Sequence, residues 1–270
     1  MNYISRKDIK LPVRKKSSKK GDNGRVLIIG GSKEYVGAVA LAGLAALRSG
    51  CDWVTIAAPE KVAWAINTLS ADLVTVKLKG DHTSLKHYKE LLKLSNKYDV
   101  VLIGNGIGLR NDTKKLIKKL MNNNIVKKKL KVIDADAIKA LSINDLNNSI
   151  ITPHKREFKI LLKNSKIAEN SLKNKIKNNI ILLKGQIDVI ITENQNFFNK
   201  TGNAGMSKAG TGDVLAGLAA GFLAQSKDLR QSAVNAAYFN GLAGDILLKK
   251  KKGFTYLASD MVDEIKRILK

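Results

Sequence analysis

Short apolar runs rich in β-branched residues alternate with helix-period stretches along this chain, and that order leaves few folds open to it. Residues 26–29, 53–57, 73–78, 100–103, 131–133 and 180–183 have the composition of strands, and 149–151 forms a shorter run of the same kind. Residues 187–192 and 196–198 follow, with 193–195 as a hairpin turn. Helices are expected over 37–49, 84–94, 112–121, 156–162, 213–224, 229–249 and 258–269. Strands joined through helices lie parallel, and right-handed crossovers place the helices on both faces of the sheet. The expected fold class is α/β, a three-layer α/β/α arrangement with a central, mostly parallel sheet. No repeat or linker divides the chain, so 1–270 reads as a single domain with a short basic lead-in over 1–20, a short helix and a loop.

Composition agrees with a sheet buried on both sides. Hydrophobic residues make up 44% but aromatics only 5%, so the core is aliphatic. Two stretches, 37–47 (GAVALAGLAAL) and 214–224 (VLAGLAAGFLA), are apolar all round and rich in Gly and Ala. Such helices are buried, and their small residues allow close approach. Their N-termini then lie inside the molecule, where free N–H groups call for an anionic partner. The single cysteine, Cys51, excludes an internal disulfide and reads as a buried small hydrophobe.

The formal charge of +25 raises the question of nucleic acid. Only eight of the 48 basic residues are arginine, and the lysine clusters at 114–119, 127–131, 173–177 and 249–252 are scattered and lack interleaved aromatics. No nucleic-acid partner is expected, although an anionic small molecule benefits from the field. The lead-in has no apolar h-region and no run approaches a membrane span, so the expected location is cytoplasmic, with no membrane partner.

The strongest local signal is Gly210-Thr211-Gly212-Asp213, where the second apolar helix begins. Gly210, Thr211 and Gly212 offer backbone N–H groups at a helix N-terminus, a candidate anion hole for a phosphate. Asp213 stands where a carboxylate can deprotonate a hydroxyl attacking that phosphate, or where it simply caps the helix. Further turns close the strands: Gly30-Gly31-Ser32, and Gly104-Asn105-Gly106-Ile107-Gly108, whose spacing does not match the dinucleotide fingerprint. Their shared placement matters more, since open α/β sheets bind ligands beyond the carboxyl ends of their strands.

Thr152-Pro153-His154, with Glu157 three residues on, closes another strand, and His154 is either structural or a ligand contact. His82 and His87 flank a polar helix and read as solvated. Lys184-Gly185-Gln186 supplies a cation and a flexible backbone for a phosphate or ribose, or merely a turn. Asp134-Ala135-Asp136 invites a metal reading, with Asp136 equally suited to cap 137–141. No Cys/His set for zinc exists, and no transition-metal site is expected.

Together these segments resemble the ADP- or ATP-dependent NAD(P)H-hydrate dehydratases of the ribokinase-like superfamily, from about residue 20 to the C-terminus. The stretches carrying the resemblance are Lys20-Gly21-Asp22-Asn23-Gly24-Arg25 through Gly30-Gly31-Ser32, then 35–38, 104–108, Asp134-Ala135-Asp136, Thr152-Pro153-His154-x-x-Glu157, Lys184-Gly185, and Gly202-Asn203 through Gly210-Thr211-Gly212-Asp213. The resemblance implies a ribokinase-like fold. It implies that Ala38, Gly108, His154 and Asp213 contact the hydrated dinucleotide (NADHX or NADPHX), with Asp213 catalytic. Lys184, Gly185, Gln186, Ile187, Asp188 and Gly212 would form the site for ADP or ATP, and Glu157 would organise Mg2+ through water. A homo-oligomer, specifically a tetramer, and a separate NAD(P)H-hydrate epimerase are the implied partners, the matched stretch leaving no length for a fused epimerase.

Two of the family's prolines are replaced. Its G-P-G turn is Gly104-Asn105-Gly106 here, and its Asn-Pro-Gly is Asn203-Ala204-Gly205; each change loosens a loop by a few tenths to about 1 kcal/mol. Lys208 and Asp188 stand where small or hydroxyl residues are more typical.

The implied chemistry is coherent. Phosphorylating the hydrate's ring hydroxyl converts a poor leaving group into a good one, which the ring nitrogen's lone pair expels. A ribokinase-like kinase acting on a vitamin-precursor hydroxyl is the nearest rival and would share the Gly-x-Gly-Asp site. A basic nucleic-acid-binding protein with purely structural glycine turns is the reading from a different class.

Overall fold

The computed structural model describes residues 2–269. Its strands are β1 (Asn2–Tyr3), β2 (Arg25–Ile29), β3 (Trp53–Pro59), β4 (Val74–Leu78), β5 (Val100–Ile103), β6 (Leu130–Ile133), β7 (Ser149–Ile151), β8 (Ile180–Leu183), β9 (Asp188–Ile191) and β10 (Asn196–Asn199). The helices are α1 (Val36–Arg48), α2 (Glu60–Leu69), α3 (Tyr88–Asn96), α4 (Asn111–Met121), α5 (Asn124–Lys128) and α6 (Ala135–Ala140). They continue with α7 (Lys155–Ser165), α8 (Lys173–Ile176), α9 (Thr211–Ser226), α10 (Leu229–Lys250) and α11 (Ala258–Ile268).

The strands form one sheet in the order β1-β10-β9-β8-β7-β6-β5-β2-β3-β4. Strands β2 to β8 pair in parallel, and β9 and β10 return antiparallel as the expected hairpin. The chain leaves β2 toward β3 and β4, then crosses back to β5, so the strand order reverses between β2 and β5. Such a reversal opens a crevice at the carboxyl edge of the sheet.

Alternate residues of the central strands feed two cores. Val26 and Ile28 of β2 join one with α1, α2, α9, α10 and α11, while Leu27 and Ile29 join the other with α3 to α8. A strand apolar on both faces needs helices on both, and the expected α/β/α layering is what forms.

At the centre of the first core α1 lies against α9, and glycine sets their approach. A Cβ on Gly217 would overlap the Ala42 carbonyl, and one on Gly221 would overlap Ser49 and crowd the Ala46 carbonyl at 2.6 Å. Gly37, near the start of α1, has nothing within 4 Å of its would-be Cβ. Alanine is the better helix former at both places, by about 1 kcal/mol. Thermal unfolding is therefore expected to show opposite signs: Gly37→Ala raises Tm, whereas Gly217→Ala lowers stability by about 1–3 kcal/mol through backbone displacement.

Several expectations are corrected. The lead-in is not simply a helix and loop: β1 pairs in parallel with β10, before a 3-10 turn at Arg6–Asp8. The lead-in is tied down by Gln231 and Asn235 of α10, which donate to the carbonyls of Asp8 and Lys10. Helix α2 was not expected; its buried Val62, Ala63 and Ile66 form a narrow stripe on an otherwise mixed segment. His87 is buried rather than solvated, its Nδ1 accepting from the Ser84 N–H at 3.1 Å and its Nε2 lying 3.0 Å from the Lys79 carbonyl. Lys131 is buried, donating to the carbonyls of Val126 and Lys129, and burial lowers its ammonium to about 8. Cys51 is buried as expected, and burial pushes its thiol up to about 12. No helix among the described residues is long and apolar enough to cross a membrane.

Candidate active site

The carboxyl ends of four neighbouring strands, β5 to β8, come together at one cluster. Gly104 follows β5 with φ +127°, and a Cβ there would overlap the Asp134 carbonyl, so only glycine allows the β5 and β6 loops to touch. Asp134, at the end of β6, is buried and projects into the site. Its Oδ1 accepts from the Thr152 hydroxyl at 2.6 Å and from Lys184 Nζ at 3.1 Å, and its Oδ2 accepts from Asn105 Nδ2 at 2.9 Å. Thr152 closes β7 and Lys184 closes β8, so one carboxylate gathers three loops.

Helix α9 points its N-terminus at this cluster. Gly210 is its N-cap, left-handed at φ +93°, and no side chain caps the helix. The first-turn N–H groups, those of Thr211, Gly212 and Asp213, therefore have no intrahelical acceptor. The Thr211 hydroxyl is occupied, its single hydrogen directed at the carbonyls of Met206 and Lys208, 2.7 and 3.0 Å away, so Thr211 offers its N–H and braces the turn. Lys184 Nζ lies 3.4 Å from where a Cβ on Gly212 would be, placing a cation beside the same turn. Uncapped N–H groups, the helix dipole and an ammonium converge as a phosphate site requires.

Asp213 is not the cap. It sits in the first turn, and its Oδ1 accepts from Asn105 Nδ2 at 2.7 Å, which decides against the capping alternative. Burial lifts its carboxyl to about 7; the Asn105 donor and Lys184 oppose the rise and Asp134 adds to it. Burial also works to lower the Lys184 ammonium, but Asp134, Glu157 and Asp213 outweigh it and the net direction is upward. A carboxyl near 7 changes charge within the working range of a general base.

The same shift has a consequence for stability. An unfolded carboxyl near 3.8 ionises earlier than this one, so between that value and about 7 the folded protein binds the extra proton. The group's contribution is full below 3.8 and is lost as pH rises through about 7, at up to about 1.4 kcal/mol per pH unit. Melting curves from about pH 5 to about pH 8 are expected to show the native protein losing stability relative to Asp213→Asn.

Beside the α9 turn lies a cavity of about 530 Å3, lined by Lys184, Gly185, Gln186, Asp188 and Gly212 among others. Five of the six residues expected at the nucleotide site thus line this cavity; Ile187 does not and is exposed. Asp188 is held by the Gly185 N–H at 3.1 Å and Asn199 Nδ2 at 3.2 Å, and burial raises its carboxyl above the usual range. Lys208 turns away, donating to the carbonyls of Phe254 and Tyr256. Asn203 lines the cavity while its Oδ1 accepts from the Tyr256 hydroxyl and its Nδ2 donates to Asp245.

The residues expected at the dinucleotide are more spread. Ala38 of α1 is half-buried, and a Cβ on Gly106 would lie 3.4 Å from its own. The Gly108 N–H donates to Asp136 Oδ2 at 3.1 Å, and Asp136 also accepts from Lys139. Asp134 and Asp136 therefore part company: α6 starts at Ala135 with Asp134 at its N-cap position, so Asp136 is not the cap. His154 is the N-cap of α7, its Nδ1 accepting from the N–H groups of Arg156 and Glu157, while its ring stays half exposed. Glu157 is buried and returns the capping box through Oε2 to the His154 N–H at 3.0 Å.

No group of three or more acidic, histidine or cysteine side chains among the described residues could cage a metal. Mg2+ needs no such cage, because it keeps most of its waters and binds one or two carboxylates plus nucleotide phosphates. The Glu157 carboxylate, with one oxygen free of backbone hydrogen bonds, fits that mode.

Sequence reasoning missed Asn105 and Thr152 as members of the cluster. Asn105 carried a signal in retrospect: a polar residue where a proline is usual, inside a strand-end glycine turn. Nothing local marks the Thr152 hydroxyl as the partner of Asp134.

Sheet order and site together define the ribokinase-like class, and a ribokinase-like superfamily protein from Enterococcus faecalis superposes with a TM-score of 0.84 at 27% identity, covering 99% of this chain and 95% of that one. The family model of the NAD(P)H-hydrate dehydratases matches residues 26–267, and the chain belongs to that family. It is 43% identical over 260 residues to the bifunctional NAD(P)H-hydrate repair enzyme Nnr of Methanocaldococcus jannaschii, covering 95% of this chain and 50% of that protein. It is 34% identical over 272 residues to the ADP-dependent (S)-NAD(P)H-hydrate dehydratase of Cenarchaeum symbiosum, covering 96% and 93%. The chain spans about half the length of several of the curated relatives it matches.

Proposed function

We propose that this protein dehydrates the S form of hydrated NADH and NADPH at the expense of ADP or ATP. The observation that carries the reading is the half-buried Asp213 carboxylate in the first turn of an uncapped helix N-terminus, with the Lys184 ammonium beside that turn. The nucleotide occupies the cavity beside Lys184, Gly185, Gln186, Asp188 and Gly212, with its terminal phosphate at the α9 turn. The hydrated ring lies on the other side of Asp213, toward Ala38, Gly108 and His154.

Asp213 takes the proton from the ring hydroxyl as that oxygen attacks the terminal phosphorus. The N–H groups of Gly210, Thr211 and Gly212, with Lys184, hold the phosphoryl oxygens. The ring nitrogen's lone pair then expels phosphate, and loss of a proton from the adjacent ring carbon restores the double bond. One phosphoanhydride is consumed, releasing inorganic phosphate and the nucleotide shortened by one phosphate. Glu157 would hold a Mg2+ ion through water, and the ion would supply positive charge to offset that of the nucleotide phosphates.

The chain acts in the cytoplasm as a homotetramer, with an epimerase activity supplying the S form. A kinase of the same fold would share the site but leave a stable phosphorylated product; the ADP-dependent dehydratase name of a relative matched along nearly its whole length favours dehydration. The test mixes hydrated NADH with ADP and, in parallel, with ATP. The absorbance of reduced nicotinamide is expected to return. A phosphorylated hydrate without regenerated NADH supports the kinase instead.

A further inference from the structure

Asn105 is fully buried between Gly104 at φ +127° and Gly106 at φ +60°. Its side-chain nitrogen has two hydrogens, and two carboxylates receive them: Asp213 Oδ1 at 2.7 Å and Asp134 Oδ2 at 2.9 Å. This pairing settles which way the amide points, because the reverse would set its carbonyl oxygen against both carboxylates. The carbonyl oxygen faces elsewhere and, among the described residues, has no hydrogen-bond partner. Asn105 therefore keeps a fully buried, half-satisfied amide whose formed bonds both go to the site carboxylates.

We propose that Asn105 is a positioning residue for the phosphoryl-acceptor step: its amide clamps the Asp213 carboxylate to the Asp134–Lys184 ion pair and so orients the base. This rests on Asp213 serving as the base in the reaction proposed above.

The two carboxylates are unequally supported. Asp134 has the Lys184 ammonium at 3.1 Å and the Thr152 hydroxyl at 2.6 Å as well as Asn105. Asp213 receives its side-chain hydrogen bond from Asn105. The charged groups bearing on Asp213 are Asp134 at the end of β6 and Lys184 at the end of β8, with Glu157 of α7 acting in turn on Lys184. A donor to the charged form favours that form, so the amide opposes both burial and the like charge of Asp134. Without it, Asp213 faces Asp134 with no donor between them, keeps its proton to higher pH and is free to turn.

Asn105→Leu keeps the side chain's size and removes both hydrogens. With hydrated NADH and ADP, the acidic limb of the kcat–pH profile is expected to move up by about one to two pH units. Turnover near neutrality falls about tenfold or more and recovers in part at alkaline pH, while ADP affinity stays within about twofold. In an Asp213→Asn background the same change costs nothing further. A loss uniform across pH, or one additive with Asp213→Asn, overturns the clamp.

Should Asn105→Leu fail to fold, the native protein answers the question by nuclear magnetic resonance. The Asn105 side-chain amide protons are expected to titrate with the Asp213 carboxyl and to stop doing so in Asp213→Asn; resonances indifferent to both overturn the proposal. That measurement uses no hydrate, so a titrating amide in a protein that regenerates no NADH would sink the dehydration reading and leave the clamp standing.

Discussion

Replacing Asp213 with asparagine is expected to remove nearly all turnover while ADP still binds and the folded protein gains stability above neutral pH. The carboxylate is the proposed proton acceptor, and losing a general base lowers kcat by about 10²–10⁴-fold. Asparagine has the same shape and can still accept from Asn105 through its carbonyl oxygen, so the α9 turn and the cavity wall keep their geometry. Removing the ionisable group also removes the penalty of charging a partly desolvated carboxyl that is raised to about 7. Activity and stability then move in opposite directions, as they do where a site stores an unfavourable charge for use. Steady-state assays, calorimetric titration with ADP and melting at about pH 8 read the three effects separately. Near-native turnover in this variant would remove the base assignment.

Lys184→Met should damage both folding and binding. The ammonium pairs with Asp134, whose side chain is only 3% exposed, and deleting one partner of a buried pair costs about 3–5 kcal/mol. Thr152 and Asn105 still donate to Asp134, so the loss falls toward the lower end of that range. The nucleotide loses the cation beside the Gly212 turn, and ADP affinity is expected to drop tenfold or more. Adding Asp134→Asn to Lys184→Met separates the effects: stability returns in large part because no charge is left unpaired, while affinity does not. Recovery of both would place Lys184 in folding alone.

Much of the architecture was legible locally. Strands β5, β7 and β8 occupy the expected residues, and α9 and α10 lie within two residues of expectation at each end, because long apolar runs and strand-length β-branched runs carry their own period. The two all-apolar helices pack into one core as their composition predicts, and the structure adds the reason for Gly217 and Gly221 of α9: the Ala42 and Ala46 carbonyls of α1 lie where their Cβ atoms would be. Elements with weak local periodicity were missed. Two residues of β1 are a strand only because β10, far along the chain, offers them an edge. The solvated reading of His87 failed for a related reason, since the Lys79 carbonyl and Ser84 N–H that bury it come from a turn with no pattern of its own.

The candidate site divides in the same way. Sequence alone determined that a glycine-bounded helix N-terminus would carry Asp213, and that strand ends would bear Asp134, His154 and Lys184, because glycine turns and capping patterns are properties of neighbouring residues. Tertiary structure decided that Asp134, not Asp136, enters the cluster, that Thr152 and Lys184 converge on it, and that Asn105 joins it to Asp213 across 108 positions of chain. Those pairings depend on the order in which strands lie side by side, and strand order is set by packing over the whole sheet rather than by any local run of residues.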